Sequence, residues 1–395
     1  MSLLSVDQAL ELVLALARPP CPEDVDIQDA LGRVLMLDAV SAITQPPFDA
    51  AAMDGYAVRS ADLPGPLRVV GESAAGRPWQ GTLGAGEALR IFTGAPVPAG
   101  TDRVVMQEDT ARDGDRVTIT GKPGRTHIRP RGNDFAEGET LPAGRRLSAV
   151  DLGLLAAMNV PRVTVARAPR VAVLAGGDEL VRPGEVPEPG QIVSSNDIAV
   201  AALARAAGAE AHILPLARDT EESLRSAFEE AQGADLIVTI GGASVGDHDL
   251  VGRVVEGLGM ERAFHRIAMR PGKPLMAGRL GTSALLGLPG NPVSAIVTAL
   301  LFMQPLIRRM QGQAEAGAPL RHGVLGRSLP PEGDRQHYLR ARLGAGEGGV
   351  VVEPFEDQDS ARLKLMAEAD ALLVRPAGDP AREIGAQVCY IPLSR

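Results

Sequence analysis

Apolar positions recur with different periods in different parts of the chain. At the start, Val6, Leu10, Val13, Leu14 and Ala17 share one helical face behind Ser5 and Gln8, whose spacing is that of a capping box. An amphipathic helix is predicted over 5–17. From about 45 to 145 the runs shorten. Segments 67–70, 88–92, 103–106 and 117–120 are separated by Gly, Pro and Asp, which predicts a β-rich insert. A helix is expected again near 149–158.

From about 170, strands alternate with helices. Runs at 171–174, 211–216, 235–240 and 284–288 read as buried strands. Ser194-Ser195-Asn196-Asp197 opens a helix to 207, and Thr220 caps one to 232. Pro292 falls in the first turn of a helix running to 310. Such alternation predicts a doubly wound parallel sheet, with ligands at the carboxyl ends of its strands. QGQAEAGAP at 311–319 is a linker, and short strands at 338–343, 349–353 and 371–374 predict a small all-β domain. The expected fold class is multidomain α/β plus β. Residues 1–44 and 137–168 form an N-terminal helix and linking segment, 45–136 the insert, 169–312 the α/β domain and 318–395 a barrel-like β domain.

Composition narrows the function. At 395 residues the chain is long enough for two to four domains. Gly (45) and Pro (31) are too frequent for a helical bundle. A net charge of −9 and 3% aromatics argue against nucleic-acid binding. Cys21 and Cys389 form no CxxC or Cys/His cluster, which excludes zinc ribbons and disulfide scaffolds. Asp7 and Glu11 interrupt any export signal, and the longest apolar run, 293–303, is too short to span a bilayer. A cytoplasmic protein without a membrane partner is expected.

Four segments carry candidate chemistry, each with a plainer reading beside it. Gly241 to Asp249 (GGASVGDHD) follows a buried strand. Its glycines, with the Ser244 hydroxyl, suit a phosphate, and Asp247 and Asp249 suit magnesium beside it. The same residues also make an ordinary strand-to-helix turn. Leu288-Pro289-Gly290-Asn291-Pro292-Val293-Ser294 builds a rigid helix N-terminus for an anion, or simply a cap. Arg266, Arg270 and Lys273 concentrate positive charge in a chain with only three lysines, and otherwise read as a solvated edge. If extended, Arg266 and Arg270 share a face. Glu179, after Gly176-Gly177-Asp178, faces the same rim or lies in a solvated loop. In the insert, the stretches around Asp54, Thr93, Arg131 and Asp134 are turn-rich and read as loops. The six histidines have no nucleophile partners at motif spacing, and no well-placed GxGxxG occurs.

Together these segments resemble the molybdopterin molybdotransferase (MoeA) family, which is similar to the C-terminal domain of gephyrin. The resemblance rests on MDGYA at 53–57, FTGAPVPAGTD at 92–102, GDEL at 177–180, SSND at 194–197, GGASVGDHD at 241–249, MRPGKP at 269–274 and LPGNPVSA at 288–295. It implies an elongated four-part subunit in a homodimer, with each active site between the α/β domain of one subunit and the insert of the other. It implies insertion of molybdate into adenylylated molybdopterin, with release of AMP and use of Mg2+. A separate molybdopterin adenylyltransferase and downstream molybdoenzymes would be further partners. Asp54, Thr93, Asp134, Glu179, Asp219 and Asp249 match catalytic positions, and Glu179, Asp219 and Asp249 are expected to hold the metal or orient water. Arg131, Gly241, Gly242, Ser244, Gly246, Arg266, Arg270, Lys273, Pro289, Asn291, Pro292 and Ser294 are expected to bind substrate. The chain departs from the family in having Gly176 where Thr is usual, Arg266 and Arg270 where Lys is frequent, and Ala50-Ala51-Ala52 before MDGYA. Two competing readings are a molybdopterin adenylyltransferase and a non-enzymatic gephyrin-like scaffold. The insert and C-terminal domain argue against the first, and the site carboxylates against the second.

Overall fold

A six-stranded sheet organises the middle of the chain, in the order Glu210–Ile213, Arg170–Ala175, Leu236–Ile240, Ser283–Leu288, Met276–Leu280, Glu261–His265. The computed structural model describes residues 3–122, 124–241, 250–314, 317–346 and 349–393. The first four strands are parallel, as expected. Met276–Leu280 runs antiparallel to Ser283–Leu288, and Glu261–His265 antiparallel to Met276–Leu280. Only Gly281 and Thr282 separate Leu280 from Ser283, far too few residues for a crossover connection, so the chain turns back as a hairpin. Gly281, at φ +57°, supplies the left-handed turn conformation.

Alternate residues of the parallel strands feed two cores. Val171, Val173, Leu236, Val238 and Leu286 face helices Asn196–Ala206 and Pro292–Met310. Ala172, Leu174, Ile237 and Leu285 face Glu221–Glu230 and Leu250–Gly257. Helices on both faces make the sheet doubly wound. The opening helix, Val6–Leu14, has the expected capping box: Gln8 N–H donates to Ser5 Oγ and Ser5 N–H to Gln8 Oε1. Its Val6, Ala9 and Val13 pack into the first of these cores, so this helix sits with the α/β domain and not with the linking segment in which it was placed above.

Pro292–Met310 is long and apolar enough to cross a membrane, but 78% of its apolar window is buried in the fold. It is a core helix. Ala299–Met303 widens into a π-turn just before Pro305. A proline there offers no N–H and clashes with the carbonyl four residues back, and the wider turn relieves both.

The linking segment joins two distant stretches. Pro22–Asp26 pairs with Arg162–Ala166, and Ala39–Val40 with Thr140–Leu141. Beyond them the insert forms its own six-stranded sheet, ordered Arg103–Met106, Gly55–Val58, Glu87–Ile91, Leu67–Ser73, Arg116–Ile119, Thr110–Asp113. The C-terminal sheet closes on itself where Gln336–Gly346 pairs with both Gly349–Pro354 and Ala371–Arg375. Met269–Arg270 leaves the α/β domain to add an edge to this barrel, beside Gln336 and His337.

Candidate active site

The carboxyl ends of the three central parallel strands turn on glycine. A Cβ on Gly241 would lie 3.4 Å from Gly176 O, and one on Gly290 3.6 Å from the Gly241 Cα. The three turns therefore form a floor of backbone with almost no side chain. Gly241 adopts φ +85°, which favours glycine, and its N–H donates to Leu288 O at 3.1 Å. Gly177 lies at φ +147°, and a Cβ there would run into the Glu179 carboxylate. The Asn196 amide donates to Gly290 O at 2.7 Å, so the SSND turn braces the same floor. Gly242, Ser244, Gly246 and Asp249 lie outside the described residues.

Carboxylates flank the floor on one side. Asp178 and Asp219 face each other from adjacent loops: Asp178 N–H points at Asp219 Oδ2 (3.5 Å) and Asp219 N–H at Asp178 Oδ1 (3.4 Å). Arg218 lies 3.9 Å from Asp178. Glu179 is exposed and folds back over Gly177. Among the described residues no three His, Cys, Asp or Glu side chains form a metal cage. The Asp178–Asp219 pair still suits Mg2+, which binds through one or two carboxylates together with phosphate oxygens and water. Asp178 was not singled out in the sequence, although it adjoins Glu179 in the GDEL motif.

Cations flank another side. Arg266 does not share a strand face with Arg270, as an extended segment would require. It sits at φ +84°, after the strand has ended at His265. The chain then doubles back, with Arg266 N–H donating to Leu275 O and Ile267 N–H to Lys273 O. This leaves Arg270 and Lys273 exposed on a tight turn. Gly272, at φ +109°, presses that turn onto Thr298 of the core helix.

At the helix N-terminus, Pro289 is buried and Asn291 exposed, while Pro292 occupies the first turn. Asn291 makes no side-chain cap. Its amide donates instead to Ser360 Oγ (3.0 Å) from the barrel domain, and Val293 N–H donates to Ser360 O. Ser294 is only 5% exposed, and its carbonyl accepts from the Thr298 hydroxyl at 2.7 Å. Ser360 was missed because it lies far along the chain in a loop without periodic signal. Arg340, 1% exposed, orders that loop through Gln358 and the carbonyl of Asp359.

A second patch lies in the insert. Thr93 donates both its N–H and its hydroxyl to Asp54 Oδ1, each at 2.8 Å. These bonds, the backbone one leading, hold the Asp54 carboxyl below the usual carboxylate range against a smaller opposing push from desolvation. Asp49 accepts from Arg131 N–H at 2.8 Å, and its own carbonyl accepts from Val97 N–H. Asp134 N–H donates to Gln45 O. The insert loops bearing Asp54, Thr93, Arg131 and Asp134 are thus laced together. Among the described residues no hydrogen bond or ion pair connects this patch to the glycine floor.

A cavity of about 390 Å³ lies at the opposite, amino ends of the strands, lined by Arg18, Arg170 and Asp235. There Asp235 is held by Arg167 through both oxygens (2.9 Å each).

Fold and floor together define an α/β ligand-binding protein of the molybdopterin-binding class, and residues 172–309 match the probable molybdopterin binding domain. Residues 4–159 match the MoeA N-terminal region (domains I and II), and 322–393 the MoeA C-terminal region (domain IV). The chain belongs to the MoeA family. It is 38% identical over 387 residues to the molybdopterin molybdenumtransferase of Nostoc sp., covering 94% of this chain and 88% of that one. It is 41% identical over 324 residues to the protein of that name from Haemophilus influenzae, covering 80% of each. The molybdopterin biosynthesis MoeA protein of Pyrococcus horikoshii superposes with a TM-score of 0.81 at 32% identity, over 99% of both chains.

Proposed function

We propose that this protein is a molybdopterin molybdenumtransferase, placing molybdenum from molybdate on the dithiolene of adenylylated molybdopterin and releasing AMP. The observation that carries the reading is the glycine floor at the strand ends, flanked by exposed cations on one side and paired carboxylates on another, in a chain collinear with relatives of that name. Both substrates are anions. The side-chain-free glycine turns leave room for a phosphate to approach, and the Arg270 and Lys273 charges offset phosphate and molybdate in a protein whose net charge is −9. Cleavage of the phosphate link needs positioning and charge neutralisation, with no protein nucleophile. Bound Mg2+ would neutralise the phosphates further, held by Asp219 and Asp178 with Glu179 and Asp249 as the remaining carboxylates of the set. On the insert, Asp54 is kept ionised by Thr93, which suits it to orient water as a hydrogen-bond acceptor.

A homodimer completes the site. Among the described residues the insert patch makes no polar contact with its own floor, and the linking segment exposes Leu31 (62%), Leu37 (62%), Val40 (53%) and Val150 (81%). A second copy would cover this apolar surface and present Asp54, Thr93, Arg131 and Asp134 to the opposite floor. The enzyme works in the cytoplasm, fed by a separate adenylyltransferase and supplying molybdoenzymes downstream. An adenylyltransferase reading does not account for the insert and barrel, and a scaffold reading does not account for the Asp54–Thr93 pair. The test is anaerobic incubation with adenylylated molybdopterin and Mg2+. Molybdate-stimulated AMP release is expected. No AMP release at any molybdate concentration would sink the proposal.

A further inference from the structure

The glycine floor does not account for Arg90, in the middle of the insert strand Glu87–Ile91. Arg90 stands opposite Tyr56 on the neighbouring strand. Its guanidinium lies 5.2 Å from the Tyr56 ring centroid and 4.7 Å from that of Phe92, within cation–π range of both. Nη1 donates to Gly55 O at 3.2 Å, and Nη2 to Gln107 Oε1 at 2.6 Å. Gln107 N–H in turn donates to Asp54 O at 3.1 Å. Gly55 follows Asp54 and Phe92 precedes Thr93, so one side chain grips both loops a single residue from the Asp54–Thr93 pair.

We propose that Arg90 is a positioning residue for the reaction, locking the Asp54 loop to the Thr93 loop so that both Thr93 donors stay on Asp54. The inference rests on the reading of Asp54 and Thr93 as site residues. Only a planar, forked cation can contact two rings while donating in two directions. Lysine keeps the charge but loses both the plane and the fork. The Arg90 charge also favours the ionised form of Asp54, as a smaller contribution than the Thr93 bonds, while desolvation opposes it.

The test is Arg90→Lys in the full-length protein, with three readouts. Turnover is expected to fall between about 10- and 100-fold with KM little changed, as for loosened positioning without lost binding. The Asp54 carboxyl, followed by NMR on 13C-labelled protein, should titrate higher, toward the ordinary carboxylate range. The melting temperature should stay near that of the parent. If Arg90→Lys does not fold, Gln107→Ala removes one acceptor and should shift both quantities the same way by less. An unmoved Asp54 titration, or full turnover despite a moved one, would overturn the proposal. Full turnover in Asp54→Asn would instead overturn the assignment of the insert to the site, and the Arg90→Lys titration would still report the grip on Asp54.

Discussion

Replacing Gly272 by Ala tests whether the cationic turn is seated on the core helix as described. The added Cβ would lie 2.6 Å from Thr298 Cγ2 and 3.2 Å from the Met269 sulfur, with the backbone at φ +109°. The backbone term for a residue with a Cβ in this region costs about 1–2 kcal/mol. Overpacking against a fully buried Thr298 costs about 1–3 kcal/mol more. Gly272→Ala should therefore destabilise the α/β domain by about 2–5 kcal/mol. Thr298→Ser removes the clashing methyl and keeps the hydroxyl bond to Ser294 O (2.7 Å), at a cost of about 1 kcal/mol. In the double variant the overpacking share should disappear, giving a coupling of about 1–3 kcal/mol. Equilibrium urea unfolding of the four proteins, followed by circular dichroism, measures it. AMP release should fall in Gly272→Ala as Arg270 and Lys273 are displaced, and recover in part in the double variant. Parent-like stability of Gly272→Ala, or strictly additive effects, would refute the seating of this turn on Thr298.

Four further outcomes are expected. Asp219→Asn should raise the Mg2+ concentration for half-maximal AMP release severalfold without changing the melting temperature, and an unchanged Mg2+ titration would remove Asp219 from the metal set. Mixing inactive Asp54→Asn and Asp249→Asn subunits should restore about a quarter of parent turnover, since half of the dimers are mixed and each carries one intact site; demonstrated exchange without recovery would place each site within one chain. In the barrel, Arg375→Leu should cost about 3–5 kcal/mol, because it leaves the buried Asp379 with one of its two guanidinium partners removed. Burial pushes the Asp379 pKa up, but bonds from Arg382 and Arg375 outweigh it and hold the group below its ordinary value. Its contribution is therefore complete above the ordinary carboxylate pKa and lost as pH falls through the lowered one. Acid melts of Asp379→Asn should show a shallower loss of stability over that window, and an identical acid limb would refute the pairing.

Local periodicity made the secondary structure legible, because the central strands of the α/β sheet bury both faces and the helix Glu221–Glu230 presents one buried stripe. Arg103–Met106 and the capped starts at Ser5, Ser148 and Thr220 follow from residues a few positions apart. The antiparallel hairpin at Gly281-Thr282 required attention to connection length in addition to hydrophobic runs. The glycine floor was legible as three separate turns, but their mutual contact depends on strand register. Arg90 was invisible for the same reason: as a strand residue it looks like a solvated charge, and its two rings and two acceptors arrive from other loops. Ser360 reaches Asn291 only because the barrel docks on the helix start, a tertiary fact with no local trace.

The paired strands at Ala39–Val40 and Thr140–Leu141, followed by the bridge between Gln45 and Phe135, bind the outgoing chain to the returning one. The insert therefore hangs from a doubled stem. Lengthening a loop inside it leaves every register outside the stem untouched, and the entropic cost grows only slowly with the added length. The angle at which the Asp54 loops are aimed is governed by the bend of two short strands, not by the glycine turns. Floor geometry and insert orientation can thus vary separately: the Asp54 loops can be re-aimed while the glycine turns stay as they are.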